Sequence, residues 1–170
     1  MDLAQFIRDI PDFPRPGILF RDITPLMGDP AAFRAAVDRL AQCFADDRID
    51  KVCAAEARGF LFASALGYKC GWGVIPVRKP GKLPWETDSE VYALEYGEAA
   101  LHFHTDAVRP GERILILDDL LAIGGTAKAM KRLVEGRGGN VVAAGFVVEL
   151  TDLGGRAALG DIRVESLLQY

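Results

Sequence analysis

Cysteine, histidine and tryptophan are scarce in this 170-residue chain, with three, two and two copies respectively. Cys43, Cys53 and Cys70 are odd in number and widely spaced, with no Cys-x-x-Cys pair, which argues against a disulfide framework and a zinc site and for a reducing, cytoplasmic location. No apolar run approaches the ~20 residues of a membrane span, and no basic region followed by an apolar stretch opens the chain. Neither a span nor a signal peptide is therefore expected. An excess of one charge is missing too. Lys and Arg number 20 against 24 Asp and Glu, a formal net charge of −4, which speaks against a broad nucleic-acid surface. Internal repeats and low-complexity segments are absent. What remains is 50% hydrophobic and 26% charged, an ordinary globular composition. A chain of this length is expected to form one domain, 1–170, burying roughly 70% of its unfolded surface.

Leu3, Phe6, Ile7 and Ile10 at helical spacing predict a short helix over 2–10, ended by Pro11. Four prolines and a glycine over 11–25 forbid a regular helix and imply an extended, shaped loop. Asp29-Pro30 reads as an N-cap with proline in the first helical position, and Phe33, Val37, Leu40 and Phe44 line one face of a helix to about residue 45. Strands over 51–55, 74–78, 113–118 and 140–150 then alternate with helices over 59–68 and 127–135. That order implies βαβ crossovers, hence an α/β fold with a mostly parallel sheet and helices on both faces. A polar stretch over 79–90 flanks a hairpin predicted over 91–95 and 99–104. An unpatterned loop of that length in a compact domain usually carries function.

The most informative stretch runs from Ile114 to Ala129. An apolar strand, Ile114 to Leu117, delivers the carboxylates of Asp118 and Asp119 to the carboxyl edge of the sheet, where α/β proteins bind ligands. The turn Ala122-Ile123-Gly124-Gly125-Thr126 opens onto a helix whose unpaired N–H groups and positive dipole end attract phosphate. Acids repel phosphate, so their place is on hydroxyls or a metal. Taken alone, the acidic pair also fits a metal site of a receiver-like domain or two solvated carboxylates. The turn lacks the spacing of a Walker loop, and no Gly-x-Gly-x-x-Gly run supports a dinucleotide site.

Other segments are individually ambiguous. Glu56-Ala57-Arg58-Gly59 follows a strand and opens a helix, fitting a second anion site or a capping turn; Arg58 offers a bidentate fork. Arg78, Lys79 and Lys82 form either a solvated basic turn or a loop that closes over an anionic leaving group. Phe20, between Leu19 and Arg21, fits a buried loop anchor. His102 and His104 alternate on one strand face without a third metal ligand and read as surface or structural histidines. Lys128, Lys131 and Arg132 read as the solvated face of their helix.

In order, Phe20-Arg21-Asp22-Ile23-Thr24-Pro25, Glu56-Ala57-Arg58-Gly59-Phe60, Arg78-Lys79-Pro80-Gly81-Lys82-Leu83-Pro84, Leu94-Glu95-Tyr96-Gly97, the 114–129 stretch and Ser166-Leu167-Leu168-Gln169-Tyr170 resemble the type I phosphoribosyltransferases, more narrowly those acting on adenine. The resemblance spans nearly the whole chain. It implies the type I fold, with a small hood built from N- and C-terminal segments and a flexible loop with its hairpin. It implies that Asp118 and Asp119 bind the ribose hydroxyls, and that Ala122, Ile123, Gly124, Gly125 and Thr126 bind the 5′-phosphate. Pyrophosphate falls to Glu56, Ala57, Arg58, Arg78, Lys79 and Lys82, and adenine to Leu19, Phe20 and Arg21. Catalysis falls to Glu95, Asp118, Asp119 and Arg58, with Tyr96 shaping the closed site.

The implied reaction moves phosphoribose from 5-phosphoribosyl 1-pyrophosphate to adenine, releasing AMP and pyrophosphate. The implied cofactor is Mg2+, held mainly by substrate and water, and the implied assembly is a homodimer. One position departs from the family pattern: Ile123 stands where threonine is usual. Two rival readings stay open, a purine phosphoribosyltransferase for another base and a non-catalytic regulator that binds the same pyrophosphate donor.

Overall fold

A computed structural model describes residues 1–93 and 98–170. Five strands form a wholly parallel sheet in the order β4 (Gly73–Val77), β3 (Lys51–Ala55), β7 (Arg113–Leu121), β8 (Asn140–Glu149) and β9 (Arg163–Gln169). The central strand explains the layering. Side chains alternate across a strand, so Leu115 and Leu117 of β7 enter one core while Ile114 and Ile116 enter the other, all fully buried. The first core is covered by α2 (Pro30–Cys43) and α3 (Arg58–Cys70), through residues such as Leu40, Phe62 and Leu66. The second is covered by α4 (Gly125–Gly136), through Met130, Leu133 and Val134. Helices therefore lie on both faces, as the βαβ order requires.

Two antiparallel ribbons complete the architecture. β1 (Arg8–Pro11) pairs with β2 (Leu19–Asp22), followed by the short α1 (Thr24–Gly28). β5 (Thr87–Ala93) pairs with β6 (Glu98–His104), placing Leu101 and Phe103 in the second core. Ion pairs fasten this hairpin to α4: Arg132 reaches Glu90 at 2.8 Å, and Arg137 forks onto Asp88. Arg132, exposed as expected on its helix face, also bridges the two elements, because the hairpin folds back over its helix. The three cysteines are free thiols. Among the described residues, no helix is long and apolar enough to cross a membrane.

The chain departs from its sequence pattern in several places. The helix expected over 2–10 is a single 3-10 turn, Leu3–Phe6, capped by the Asp2 carboxylate, which accepts from the Ala4 N–H at 3.0 Å. Residues 8–11 instead extend to pair with β2, since backbone pairing and burial of Leu3 outweigh a short run of helical spacing. The shaped loop over 11–25 accordingly contains β2 and the start of α1. At the other end, the C-terminal segment joins the main sheet as its edge strand β9, and its last residue meets the hood: the Arg21 guanidinium lies 3.9 Å from the centre of the Tyr170 ring. Strand β7 runs three residues beyond the expected 118, and α4 begins two residues before the expected 127.

Asp29 behaves as its sequence position implies. Its carboxylate accepts from the N–H groups of Ala31 and Ala32 at 2.9 and 2.8 Å, closing the first turn of α2. Removing such a cap typically costs about 1 kcal/mol. Asp29→Ala is therefore expected to lower the unfolding free energy by about that amount, read as a lower denaturation midpoint with an unchanged denaturant slope.

Candidate active site

The site forms near the carboxyl edge of β7, where a strand buried on both faces carries Asp118 and Asp119 before its last two leucines. Asp119 is almost buried, and its Oδ2 accepts from Arg58 Nε at 2.5 Å. Asp118 lies against the start of α3, and its Oδ1 accepts from the Asp119 N–H at 2.9 Å. The approach is close enough to dictate a glycine: a Cβ on Gly59 would stand 2.6 Å from Asp118 Oδ1. Burial first, and the neighbouring Asp119 carboxylate second, push the Asp118 carboxyl well above the usual carboxylate range.

Two cavities meet at this pair. One, of about 250 Å³, is walled by Arg58, Asp118, Asp119 and the whole turn from Ala122 to Thr126. Gly124, with φ of 83°, is the N-cap of α4, so the turn delivers the first N–H groups of a 12-residue helix to the cavity. Ile123 stands half exposed on this wall. The second cavity, of about 230 Å³, shares Arg58, Asp118, Asp119 and Thr126 and adds Glu56, Ala57 and Lys79. The acids and Arg58 therefore sit between two chambers, each edged by backbone suited to an anion.

The second chamber is held by its own acid. Glu56 accepts from the Lys79 N–H at 2.6 Å and lies 3.5 Å from Arg78 Nε. The Lys79 N–H first, with Arg78, holds the Glu56 carboxyl below its usual range against the opposing effect of burial. Glu56 thus shapes the wall, and its carboxylate is already committed. Arg78 donates from Nη1 to the Lys82 carbonyl at 3.1 Å, and neither Arg78 nor Lys82 lines either cavity. The Glu56–Ala57 peptide bond is cis.

Phe20 of β2 faces the site from the hood. Its ring meets Phe13 edge-on at 5.2 Å, and the Arg58 guanidinium lies 5.8 Å from its centre. Arg21 is turned to Asp9, at 2.5 Å, and to the Tyr170 ring, while Leu19 remains exposed. These three residues line neither cavity. Arg58 is the link that brings them beside the acids.

Glu95, together with Leu94, Tyr96 and Gly97, lies outside the described residues. His102 is engaged through Nδ1 with the Thr87 hydroxyl at 3.1 Å, a structural role. Among the described residues, no group of three or more His, Cys, Asp and Glu side chains converges as a metal site. Tyr92 is the addition that sequence reasoning did not supply. It lines both cavities, and its hydroxyl accepts from Thr126 Oγ1 at 3.4 Å. Leu120 and Phe146 likewise wall the first chamber. Leu120 follows Asp119 on β7 itself, whereas Tyr92 and Phe146 carry no local signal, because the folding of β5 across α4 and the pairing of β8 with β7 bring them there.

A parallel sheet whose central strand carries paired acids near its carboxyl end, followed by a glycine turn at a helix start and a second chamber where Arg58 and Lys79 stand among the acids, defines a type I phosphoribosyltransferase. Adenine phosphoribosyltransferase of Thermosipho africanus is 56% identical over 168 residues, covering 99% of each chain, and that of Pseudothermotoga lettingae is 55% identical over 170 residues and the full length of both. The chain belongs to the adenine phosphoribosyltransferase family. The crystal structure of the Thermoanaerobacter pseudethanolicus enzyme superposes with a TM-score of 0.96 at 49% identity, covering 99% of this chain and 98% of that one. No family model matches the sequence.

The raised Asp118 carboxyl has a consequence for stability. A carboxyl whose folded pKa lies above its unfolded value binds more protons when folded, so stability falls as pH rises from the unfolded pKa, about 4, through the folded one. Asp118→Asn keeps the acceptor for the Asp119 N–H and removes the charge. It is expected to raise the unfolding free energy at pH 8 by about 1.4 kcal/mol for each pKa unit of the shift it removes, with the gain vanishing below about pH 4. Denaturant titration at both pH values checks this; equal stability at pH 8 contradicts it.

Proposed function

We propose that this protein transfers phosphoribose from 5-phosphoribosyl 1-pyrophosphate to adenine, forming AMP and pyrophosphate. The observation that carries the reading is the position of Asp118, Asp119 and Arg58 between two anion-ready chambers. A ribose placed over the acids directs its 5′-phosphate into the turn Ala122–Thr126 and its pyrophosphate toward Glu56–Arg58 and Lys79, with Arg78 and Lys82 supporting that loop. Adenine takes the remaining side, against Phe20, with backbone groups of Leu19 and Arg21 along its edge.

Departure of pyrophosphate leaves the ribose positively charged, like an oxocarbenium ion. The Asp118 and Asp119 carboxylates lie beneath that charge and oppose it, and Glu95 joins them by resemblance. Arg58 orients the Asp119 carboxylate through their hydrogen bond. Mg2+ fits this donor set as an ion held mainly by substrate oxygens and water, with Asp118 and Asp119 supplying negative charge nearby. When bound, it offsets the charge of the leaving group. The whole chain, 1–170, acts as one phosphoribosyltransferase domain in this reading, working in the cytoplasm as a homodimer.

One assay separates this reading from its rivals. Protein, Mg2+ and 5-phosphoribosyl 1-pyrophosphate are mixed with adenine, hypoxanthine or guanine, and pyrophosphate release is followed. Release with adenine is the expected result. Release only with a 6-oxopurine points to another purine enzyme, and no release with any base overturns the enzyme reading.

Ile123 supplies a second test. It offers no hydroxyl to the first chamber, and a hydrogen bond to a charged group contributes about 1.5–3 kcal/mol, or roughly ten- to a hundredfold in affinity. Ile123→Thr is expected to lower KM for the pyrophosphate donor toward that range and to leave KM for adenine nearly unchanged. An unaltered donor KM means that the turn already satisfies the phosphate through its backbone.

A further inference from the structure

Among the described residues, two charged side chains are buried, Asp119 and Glu149. The first faces the active-site chambers. Glu149 lies one strand away, unused by the reaction, yet only 3% exposed. It ends β8, in register with Leu121 of β7 on one side and Gln169 of β9 on the other, so it sits level with the residue just before the phosphate turn. Its carboxylate is saturated. Arg156 donates from Nε and Nη2 at 2.6 and 2.7 Å, Ser166 from its hydroxyl at 2.6 Å, and Gln169 from its amide at 3.4 Å. Arg156 donates again, from Nη1, to the Val164 carbonyl at 2.8 Å.

Arg156 belongs to a 3-10 turn, Gly155–Leu159, whose far end is anchored by the fully buried Leu159. This turn is pressed against the phosphate turn with no slack. A Cβ on Gly155 would stand 2.2 Å from the Ala122 carbonyl oxygen, and a Cβ on Gly124 would stand 2.5 Å from the Gly155 carbonyl oxygen and 2.8 Å from Ala158 Cβ. Two backbones that exclude even a methyl group from their interface move together. Any displacement of the 155–159 turn is a displacement of Ala122 and Gly124.

We propose that Glu149 and Arg156 are positioning residues for the 5′-phosphate of the substrate: their bidentate pair clamps the 155–159 turn against Ala122 and Gly124, and so sets the spacing of the N–H groups that receive the phosphate. The inference rests on the reading of Ala122–Thr126 as the phosphate turn. A buried acid explains the choice of partner. A carboxylate enclosed to this degree requires a charged, forked donor, and the arginine that supplies it carries the turn with it. Misplacing a binding group by about 1 Å can weaken its action on the order of a hundredfold, so the clamp bears on affinity for one end of one substrate.

The test uses the whole protein with ribose 5-phosphate as the probe in calorimetric titration, alongside KM for 5-phosphoribosyl 1-pyrophosphate and for adenine. Arg156→Lys keeps the charge and loses the fork; Arg156→Ala loses both. Gly155→Ala forces the two backbones apart without touching the ion pair and carries the test if the arginine variants do not fold. The expected result is weaker ribose 5-phosphate binding by roughly tenfold in Arg156→Lys and Gly155→Ala and more in Arg156→Ala, with a parallel rise in donor KM and an unchanged adenine KM. Wild-type affinity for ribose 5-phosphate in folded Gly155→Ala and Arg156→Lys overturns the proposal, as does an equal loss for adenine. Failure of the underlying reading looks different: the wild-type protein itself then binds no ribose 5-phosphate, and the clamp falls with it.

Discussion

Two carboxylates at the end of a strand buried on both faces set the terms for everything around them. Like charges brought together out of water repel and lose hydration, and Asp118 and Asp119 are stable there only because the neighbouring elements are arranged to receive them. α3 begins so close that its second residue must be glycine, and its first, Arg58, turns onto Asp119. The turn after β7 then presents the positive end of α4 to the same space. The acids are a liability to the fold and the reason for the site.

Arg58 connects the parts that this charge pair organises. It touches Asp119, lines both chambers and lies over the Phe20 ring, so the groups assigned to ribose, pyrophosphate and adenine share one side chain. A second tier stands behind them. Glu56 fixes the backbone of Lys79, and Glu149 with Arg156 fixes the turn behind Ala122 and Gly124. Each of these acids holds backbone in place, Glu56 from the wall of the second chamber and Glu149 from behind the first.

Legibility in the sequence followed the range of the forces involved. Strand β3 matches its expected bounds, and β4, β8, α2 and α3 differ from theirs by one or two residues, because an apolar run, a proline after an N-cap residue and a helical stripe act locally. The leading helix failed for the complementary reason. Four apolar residues at helical spacing could not outweigh pairing with β2, whose own strand character was hidden among prolines. Arg132 is exposed as its helix position implied, but its ion pair with Glu90 exists only because the hairpin folds over α4. Tyr92 carried no signal of its own, since its place between the chambers depends on that same fold.

The sequence by itself determined the chemistry available: an acidic pair, a glycine turn at a helix start that carries Ile123 and so no hydroxyl at that position, and an arginine after a strand, all fixed by covalent order over a few residues. It also determined the alternation of strand and helix that makes the sheet parallel. Tertiary structure alone decided the electrostatics. The raised Asp118 carboxyl, the capture of Arg58 by Asp119 and the interlock of Gly124 with Gly155 arise between segments far apart in the chain. Burial and close approach depend on what the fold packs beside a residue, and no local pattern records its neighbours.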